Sequence, residues 1–317
     1  MGSIAPFDHP GRFWRGNIHT HSNLSDGRLP PEEVARAYQH AGYDFFMLSE
    51  HFVEMFDSPI ADTRPFRSNN FTTLLGAELH APENSRGELW HILAAGLPLG
   101  FAPCGDTETA EELAGRAAQA GAFVSIAHPA WSQLNLADGK AIDSAHSVEI
   151  YNHGCAVEND RGDGWYLLEE MLRDGHRLSA NATDDAHFKS DDAFGGWVQV
   201  KADALDPDAL LEALKSGAFY SSQGPQFYDV ALAGDELTIS CSPVNSISVQ
   251  GGVSRTVART GKAITSAVLD ISKLDTYWTG RAGETKKLPQ PISWIRVVII
   301  DAAGFRAWTN PIWLDTL

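Results

Sequence analysis

Gly16-Asn17-Ile18-His19-Thr20-His21-Ser22-Asn23-Leu24-Ser25-Asp26-Gly27 decides how this chain is to be read. A short run ends in two histidines one residue apart, and an acid follows at an Asp-Gly turn. Alternate residues of a strand project to the same side, so His19 and His21 offer both imidazoles to one space. Outward from this stretch the pattern recurs. Phe45-Phe46-Met47-Leu48 runs towards Glu50-His51, Leu74-Leu75-Gly76-Ala77 into Glu78, and Phe123-Val124-Ser125-Ile126-Ala127 into His128. His91 interrupts Leu89-Trp90-His91-Ile92-Leu93, and Asp184-Asp185-Ala186-His187 follows a run at 177–182. There Asp185 shares the parity of His187 and Asp184 does not.

Six histidines and four carboxylates therefore arrive in clusters: His19, His21, Asp26, Glu50, His51, Glu78, His91, His128, Asp185 and His187. Imidazole and carboxylate are ligands of divalent Zn, Mn or Fe, and one ion takes roughly four to six donors. Ten candidates suit two or three ions. Sites with several metals point to hydrolysis, since paired cations can make hydroxide from water and hold transition-state charge. A carboxylate at the end of an apolar run, as Glu78 is, is costly to bury without a cation. His80 is in phase with Glu78 and stays unassigned, whereas His9, His40, His146 and His176 read as surface or loop residues. Asn152 and His153 border the expected pocket.

The runs alternate with helix-like segments through the first two-thirds of the chain. Strands are expected at 16–20, 43–49, 72–78, 89–95, 122–127, 147–151 and 177–182, with helices at 31–41, 107–120, 164–174 and 208–216. Strands so continuously apolar suit a parallel α/β sheet or barrel buried on both faces. The candidate ligands then lie at strand ends, where α/β barrels assemble active sites from their βα-loops. After Gly224 the texture changes to alternating runs at 229–233, 236–240, 246–250, 267–271 and 294–300, separated by Gly, Asp and Pro. This predicts a main domain over 1–225 and a small antiparallel β domain over 226–317.

Composition narrows the partners. The formal charge of -17 argues against nucleic acid as the main partner, because phosphate backbones need compensating Lys and Arg. No stretch approaches the roughly 18–20 apolar residues of a membrane span. Residues 1–15 lack the apolar core of a signal peptide, and Cys104, Cys155 and Cys241 form no CxxC pair. The expectation is a soluble cytoplasmic protein acting on a small-molecule substrate. The β-rich tail suits either a cover for the pocket or a subunit interface, so a homo-oligomer stays open.

The ordered set HxHxxxxSDG, Glu50-His51, Gly76-Ala77-Glu78, His91, His128-Pro129 and Asp185-Ala186-His187 resembles the polymerase and histidinol phosphatase (PHP) superfamily over about residues 14–225. Further stretches resemble its carbaryl-hydrolase-like (CehA/McbA) branch: Ala127-His128-Pro129-Ala130-Trp131, Val148-Glu149-Ile150-Tyr151-Asn152, the segment 217–225, and Ala307-Trp308-Thr309-Asn310-Pro311-Ile312. The resemblance implies a distorted seven-stranded β/α barrel holding two or three divalent ions. By matching position, His19, His21, Glu78 and Asp185 would hold the first. Glu78 would bridge to a second held by His91 and His128, and Asp26, His51 and His187 would serve a third or orient substrate. Two positions depart from the pattern. Glu50 stands where the family usually carries Asp, and trinuclear members often carry His near position 26.

The leading expectation is a metal-dependent hydrolase, a phosphoesterase on a small phosphate ester, in which a metal-bridging hydroxide attacks phosphorus. Asp26 or His187 would protonate or orient the leaving group. Arg28, Lys140, Arg161 and Lys189 stand in loops suited to a phosphate. The alternative keeps the metals and changes the bond to an aryl carbamate, ester or amide, with Trp131, Phe188 and Trp197 as an aromatic lining. A third reading, a non-catalytic metal-binding module, fits less well because nine of the ten positions keep metal-capable residues of the expected type and Glu50 keeps the charge.

Overall fold

In the larger unit, hydrophobic strands meet edge to edge and leave their polar residues at one end. The computed structural model describes residues 2–288 and 292–317, which form two compact units: Pro10–Gly217, and Met1–His9 with Ala218–Leu317. The larger unit is mixed α/β. Its strands are β1 (Arg12–Asn17), β2 (Phe45–Met47), β3 (His51–Phe52), β4 (Thr72–Leu74), β5 (Gly76–Ala81), β6 (Trp90–Ala95), β7 (Phe123–Ile126), β8 (Ser147–Asn152), β9 (Ser179–Thr183) and β10 (Trp197–Ala202). Its helices are α1 (Pro31–His40), α2 (Ala110–Gln119), α3 (Leu136–Ala141), α4 (His153–Asn159), α5 (Trp165–Arg173) and α6 (Pro207–Lys215).

Local chemistry sets the helix starts. Pro31 opens α1 with Glu32 and Glu33 in its first turn, where the helix dipole favours acids. Helix α2 begins at Ala110, later than the expected 107, because Thr109 and Glu112 close a reciprocal capping box. Helices α3 and α4 were not expected from the sequence. Both are short, and Asn135 and Asn152 cap them through side-chain oxygens.

Strands β10, β1, β2 and β4 lie side by side, and β9, β8, β7, β6, β5 and β3 form a second series. The expected all-parallel order is broken twice. β10 runs antiparallel to β1, and β6 runs antiparallel to both β5 and β7. The β5–β6 link spans only residues 82–89, too short for the dozen or more residues a parallel crossover needs. Beyond the ladders, Ser49 N–H donates to Thr20 O, Glu78 N–H to Glu50 O, His21 N–H to Ala186 O and Asp185 N–H to His19 O. The core beneath is apolar, with Phe45, Phe46, Ile92, Phe123, Val124 and Ile126 fully buried.

The smaller unit is an antiparallel sheet ordered Gly2–Ser3, Phe227–Ala233, Glu236–Gly251, Trp294–Ile300, Arg306–Thr309, Phe219–Ser222. Arg255–Asp270 pairs with Glu236–Gly251. The two runs expected at 236–240 and 246–250 are one strand whose register shifts near Val244, next to Pro243. A bulge lets a strand carry a proline without losing the ladder on either side. Among the described residues, no helix is long and apolar enough to cross a membrane.

Candidate metal centre

The strand ends of the larger unit converge on Glu78. Its side chain is buried, and its Oε1 accepts hydrogen bonds at 2.8 Å from His91 Nδ1 and 3.1 Å from His128 Nε2. His19 Nε2 lies 3.6 Å from the same oxygen. On the other oxygen, His51 Nδ1 lies at 2.6 Å, out of hydrogen-bonding line, with His21 Nε2 at 3.7 Å and His80 Nε2 at 3.8 Å. His91 reaches this group from the start of its strand. Because β6 runs antiparallel, its first residues share an edge with the last residues of its neighbours, and His91 pairs directly with His80.

Asp185 forms the second focus. One carboxylate oxygen lies 3.1 Å from both His19 Nε2 and His21 Nε2. The chain turns into the left-handed region at Asp185, with φ 55°, and again at Phe188, with φ 57°. Such backbone costs energy in non-glycine residues and recurs where a side chain must be aimed. Asp192, buried, accepts the N–H groups of His187 and Phe188 and holds this bend. Asp26 is the third focus, 3.2 Å from His187 Nε2 and 3.4 Å from His51 Nε2, with Lys189 Nζ at 3.0 Å from its other oxygen.

Nine of the ten sequence candidates thus come together, and Glu50 does not join them. It is buried against the loop after His21, where it accepts the Ser22 N–H at 3.0 Å and the hydroxyls of Ser22 and Ser25. His80, left unassigned by the sequence, stands inside the group. Four sets of donor atoms are close enough to hold an ion: His21, Asp26, His51 and His187; His51, Glu78, His80 and His91; His19, His21 and Asp185; His19, Glu78 and His128. A bare cluster of this kind leaves polar groups unsatisfied. His19 Nε2, Asp26 Oδ1 and Glu78 Oε2 are buried and have no hydrogen-bond partner. The donor set and these orphaned atoms fit divalent cations.

Electrostatics point the same way. Burial opposes ionisation of Glu78, yet His91, His51 and His19 hold its carboxyl well below the usual range. Burial likewise opposes a charge on Asp185, which His19 and His21 nevertheless keep ionised. Burial, with His51 and His187 nearby, pushes the His21 imidazole down to about 3, leaving it the neutral ring a metal requires. For His51, burial is outweighed by Glu78 and Asp26, and its proton affinity is pushed up to about 10.

Residues the sequence reading did not assign hold the ligand candidates in place. Glu149 accepts from His19 Nδ1 at 2.9 Å, from the His128 N–H at 2.6 Å and from the Thr183 hydroxyl. Asn152, expected beside substrate, is fully buried and donates to Glu149 and Asp185 at 3.0 Å each. In the sequence Glu149 shows only as a charged residue inside the apolar run 147–151 and as part of a stretch that carries the family resemblance.

A cavity of about 220 Å³ opens on the cluster and is lined by Asp26, His51, His91, His128, Trp131, Asp185 and His187 together with Gly154, Cys155 and Glu158. Trp131 is 41% exposed, its ring 5.1 Å from that of His128 and 5.5 Å from that of His91. Phe188 and Trp197, weighed as further lining, pack instead with Tyr38, Phe46 and Phe71 in the core. His153 bonds to the Tyr151 hydroxyl at 2.9 Å and Lys140 pairs with Asp174, and neither lines the cavity. Arg28 and Arg161 are exposed and also stand outside the lining.

A solved two-domain protein from Bacteroides vulgatus that contains a predicted PHP-like metal-dependent phosphoesterase is similar over 94% of this chain and 93% of its own. The identity is 15% and the TM-score 0.53. This chain shares the fold of that two-domain protein. Two further structures cover 54% of the chain and 87% of their own. They are a proposed metal-dependent phosphoesterase from Bifidobacterium adolescentis at 15% identity and an amidohydrolase from Chromobacterium violaceum with bound sulfate and no metal at 16%. Their TM-scores are 0.39. No protein-family model matches this chain, and neither does any curated protein.

Proposed function

We propose that this chain is a metal-dependent hydrolase of the PHP superfamily, in its CehA/McbA-like branch, acting on small soluble phosphate esters. The observation that carries the reading is Glu78, a buried carboxylate ringed by imidazoles, with one oxygen left without a hydrogen bond. A seven-stranded barrel is supported by hydrogen bonds that pass from β1 through β2, the β4–β5 stretch, β6, β7, β8 and β9 and return to 19–21. His19, His21 and Asp185 would hold one ion, Glu78, His91 and His128 a second, and Asp26, His51 and His187 a third. Mn, Zn or Fe suits such donors. When bound, such ions supply an activated water and neutralise the charge that builds up in the transition state.

The chain's own residues do the rest. Glu149 aims His19 Nε2 inwards, and Asn152 steadies Asp185. Where only two ions are held, Asp26 and His187, which line the cavity 3.2 Å apart, are instead placed to orient the leaving group and hand it a proton. Lys189, paired with the cavity-lining Asp26 at 3.0 Å, would offer a cation to a phosphoryl oxygen. Trp131 favours a second reading, an aryl carbamate or ester, because its exposed ring is an apolar platform beside His91 and His128. The test is a side-by-side rate assay of manganese- or zinc-loaded protein on aryl phosphate mono- and diesters and aryl carbamates, with a chelated control. Chelator-sensitive phosphoester cleavage is expected. Carbamate cleavage alone would overturn the phosphoester assignment, and no turnover of either class would overturn the hydrolase.

A further inference from the structure

Each histidine of the cluster has two ring nitrogens, and the neutral ring carries one proton. A ring that gives a lone pair to a cation must therefore park its proton on the other nitrogen. Histidine ligands do so by donating the outer N–H to a carboxylate, a carbonyl or another acceptor. Three rings here follow that rule. His19 Nδ1 lies 2.9 Å from Glu149, His187 Nδ1 lies 2.9 Å from the Asp185 carbonyl, and His128 Nδ1 lies 3.2 Å from the Ser132 hydroxyl.

His51 differs from these three in the kind of group its outer nitrogen meets. Its Nε2 faces Asp26 in the set that includes His21 and His187. Its Nδ1 is hydrogen-bonded at 2.9 Å to another imidazole, His80 Nε2. The nearer Glu78 oxygen is out of line. His80 Nδ1 in turn meets the Trp90 carbonyl at 3.1 Å. A carbonyl only accepts, so His80 Nδ1 carries the proton and His80 Nε2 is a bare lone pair. It can accept a hydrogen bond from His51 Nδ1–H and cannot donate one. The chain Trp90 O, His80, His51 thus admits one arrangement for neutral rings, and it leaves His51 Nε2 free.

We propose that His80 is a positioning residue that fixes the tautomer of His51 and so controls occupancy of the ion position shared by His21, Asp26, His51 and His187. The inference rests on the reading of the cluster as a metal centre. His80 is buried and absent from the cavity lining, consistent with acting through His51 rather than on substrate.

The test compares metal binding to wild type, His80→Gln and His80→Leu by titration calorimetry and elemental analysis, with unfolding followed in chelator to verify folding. Gln can accept from His51 and donate to the Trp90 carbonyl, whereas Leu can do neither. The expected result is a roughly 10- to 100-fold weaker affinity for the most weakly held ion in His80→Leu, with the other ions retained. His80→Gln should recover most of that loss. Unchanged binding in His80→Leu would overturn the proposal. So would equal loss in both variants, because a direct ligand or a packing residue is not rescued by Gln. A wild-type protein that takes up no Mn or Zn would fail earlier and would count against the metal centre itself.

Discussion

The two units place polar groups inside very differently. In the unit spanning 10–217, buried His19, His21, Glu50, Glu78, His80, His128, Glu149, Asp184, Asp185 and Asp192 crowd the strand ends. In the smaller unit, the buried polar residues among those described are Ser221, Ser222, Ser248, Arg296, Thr309 and Asn310, and 218–317 contains no histidine. Both units fold on apolar cores. Only one also buries many ionisable groups, and burying charge opposes folding unless a partner compensates it. The contrast teaches that packing accounts for the alternating sheet and does not account for the strand-end cluster, whose donor atoms are close enough to hold ions.

The sharpest way to break this comparison is to remove a ligand candidate. Asp185→Asn or His19→Ala should abolish turnover by the metal-loaded protein while far-UV circular dichroism stays that of the wild type. Undiminished activity in either would detach the cluster from function. A smaller loss is expected at the proton-handling pair. His187→Asn should slow phosphate esters with poor leaving groups by about 10²- to 10⁴-fold, and 4-nitrophenyl esters by much less. Equal losses for both would assign His187 to holding metal alone.

Next comes the unit without the cluster. Ile247, fully buried there, should cost about 2–5 kcal/mol of stability when changed to Ala, with the metal content of the folded protein unchanged. Loss of metal from folded Ile247→Ala would show that the division of roles is wrong. The smallest effect is a proton count. Without metal, His51 keeps its proton up to about pH 10, so it favours the folded state fully below its ordinary value of 6.5 and loses that contribution as pH rises through 10. A cation must displace such protons, so affinity should rise with pH above neutrality. At pH 7, calorimetry in buffers of different ionisation enthalpy should register proton release. Binding without proton release would contradict this charge state.

Much of this arrangement is legible in the chain. Caps locate α1 and α6 within a residue or two, and His19 does meet His21 at Asp185, although β1 ends at Asn17 and β9 at Thr183, so the expected strand periodicity stops short of both ligand pairs. What escaped depends on partners remote in sequence. His80 looks unremarkable until β6 is seen to run antiparallel, which sets it directly opposite His91. Glu149 becomes meaningful only when its carboxylate meets His19 across 130 positions of chain. Glu50 has the right chemistry for a ligand, but serines at 22 and 25 capture it first. The aromatics Phe188 and Trp197 could not be sorted from Trp131 by hydrophobicity, because core and cavity walls draw on the same side chains.

The most direct test of the central claim is the metal content per chain after reconstitution with manganese or zinc and removal of excess, for wild type and Glu78→Gln. Glu78 is common to two of the donor sets and lies within 4 Å of six imidazoles. Two or three ions are expected in the wild type and at least one fewer in folded Glu78→Gln. A wild type that retains none, or a Glu78→Gln protein that retains the full complement, would contradict that claim.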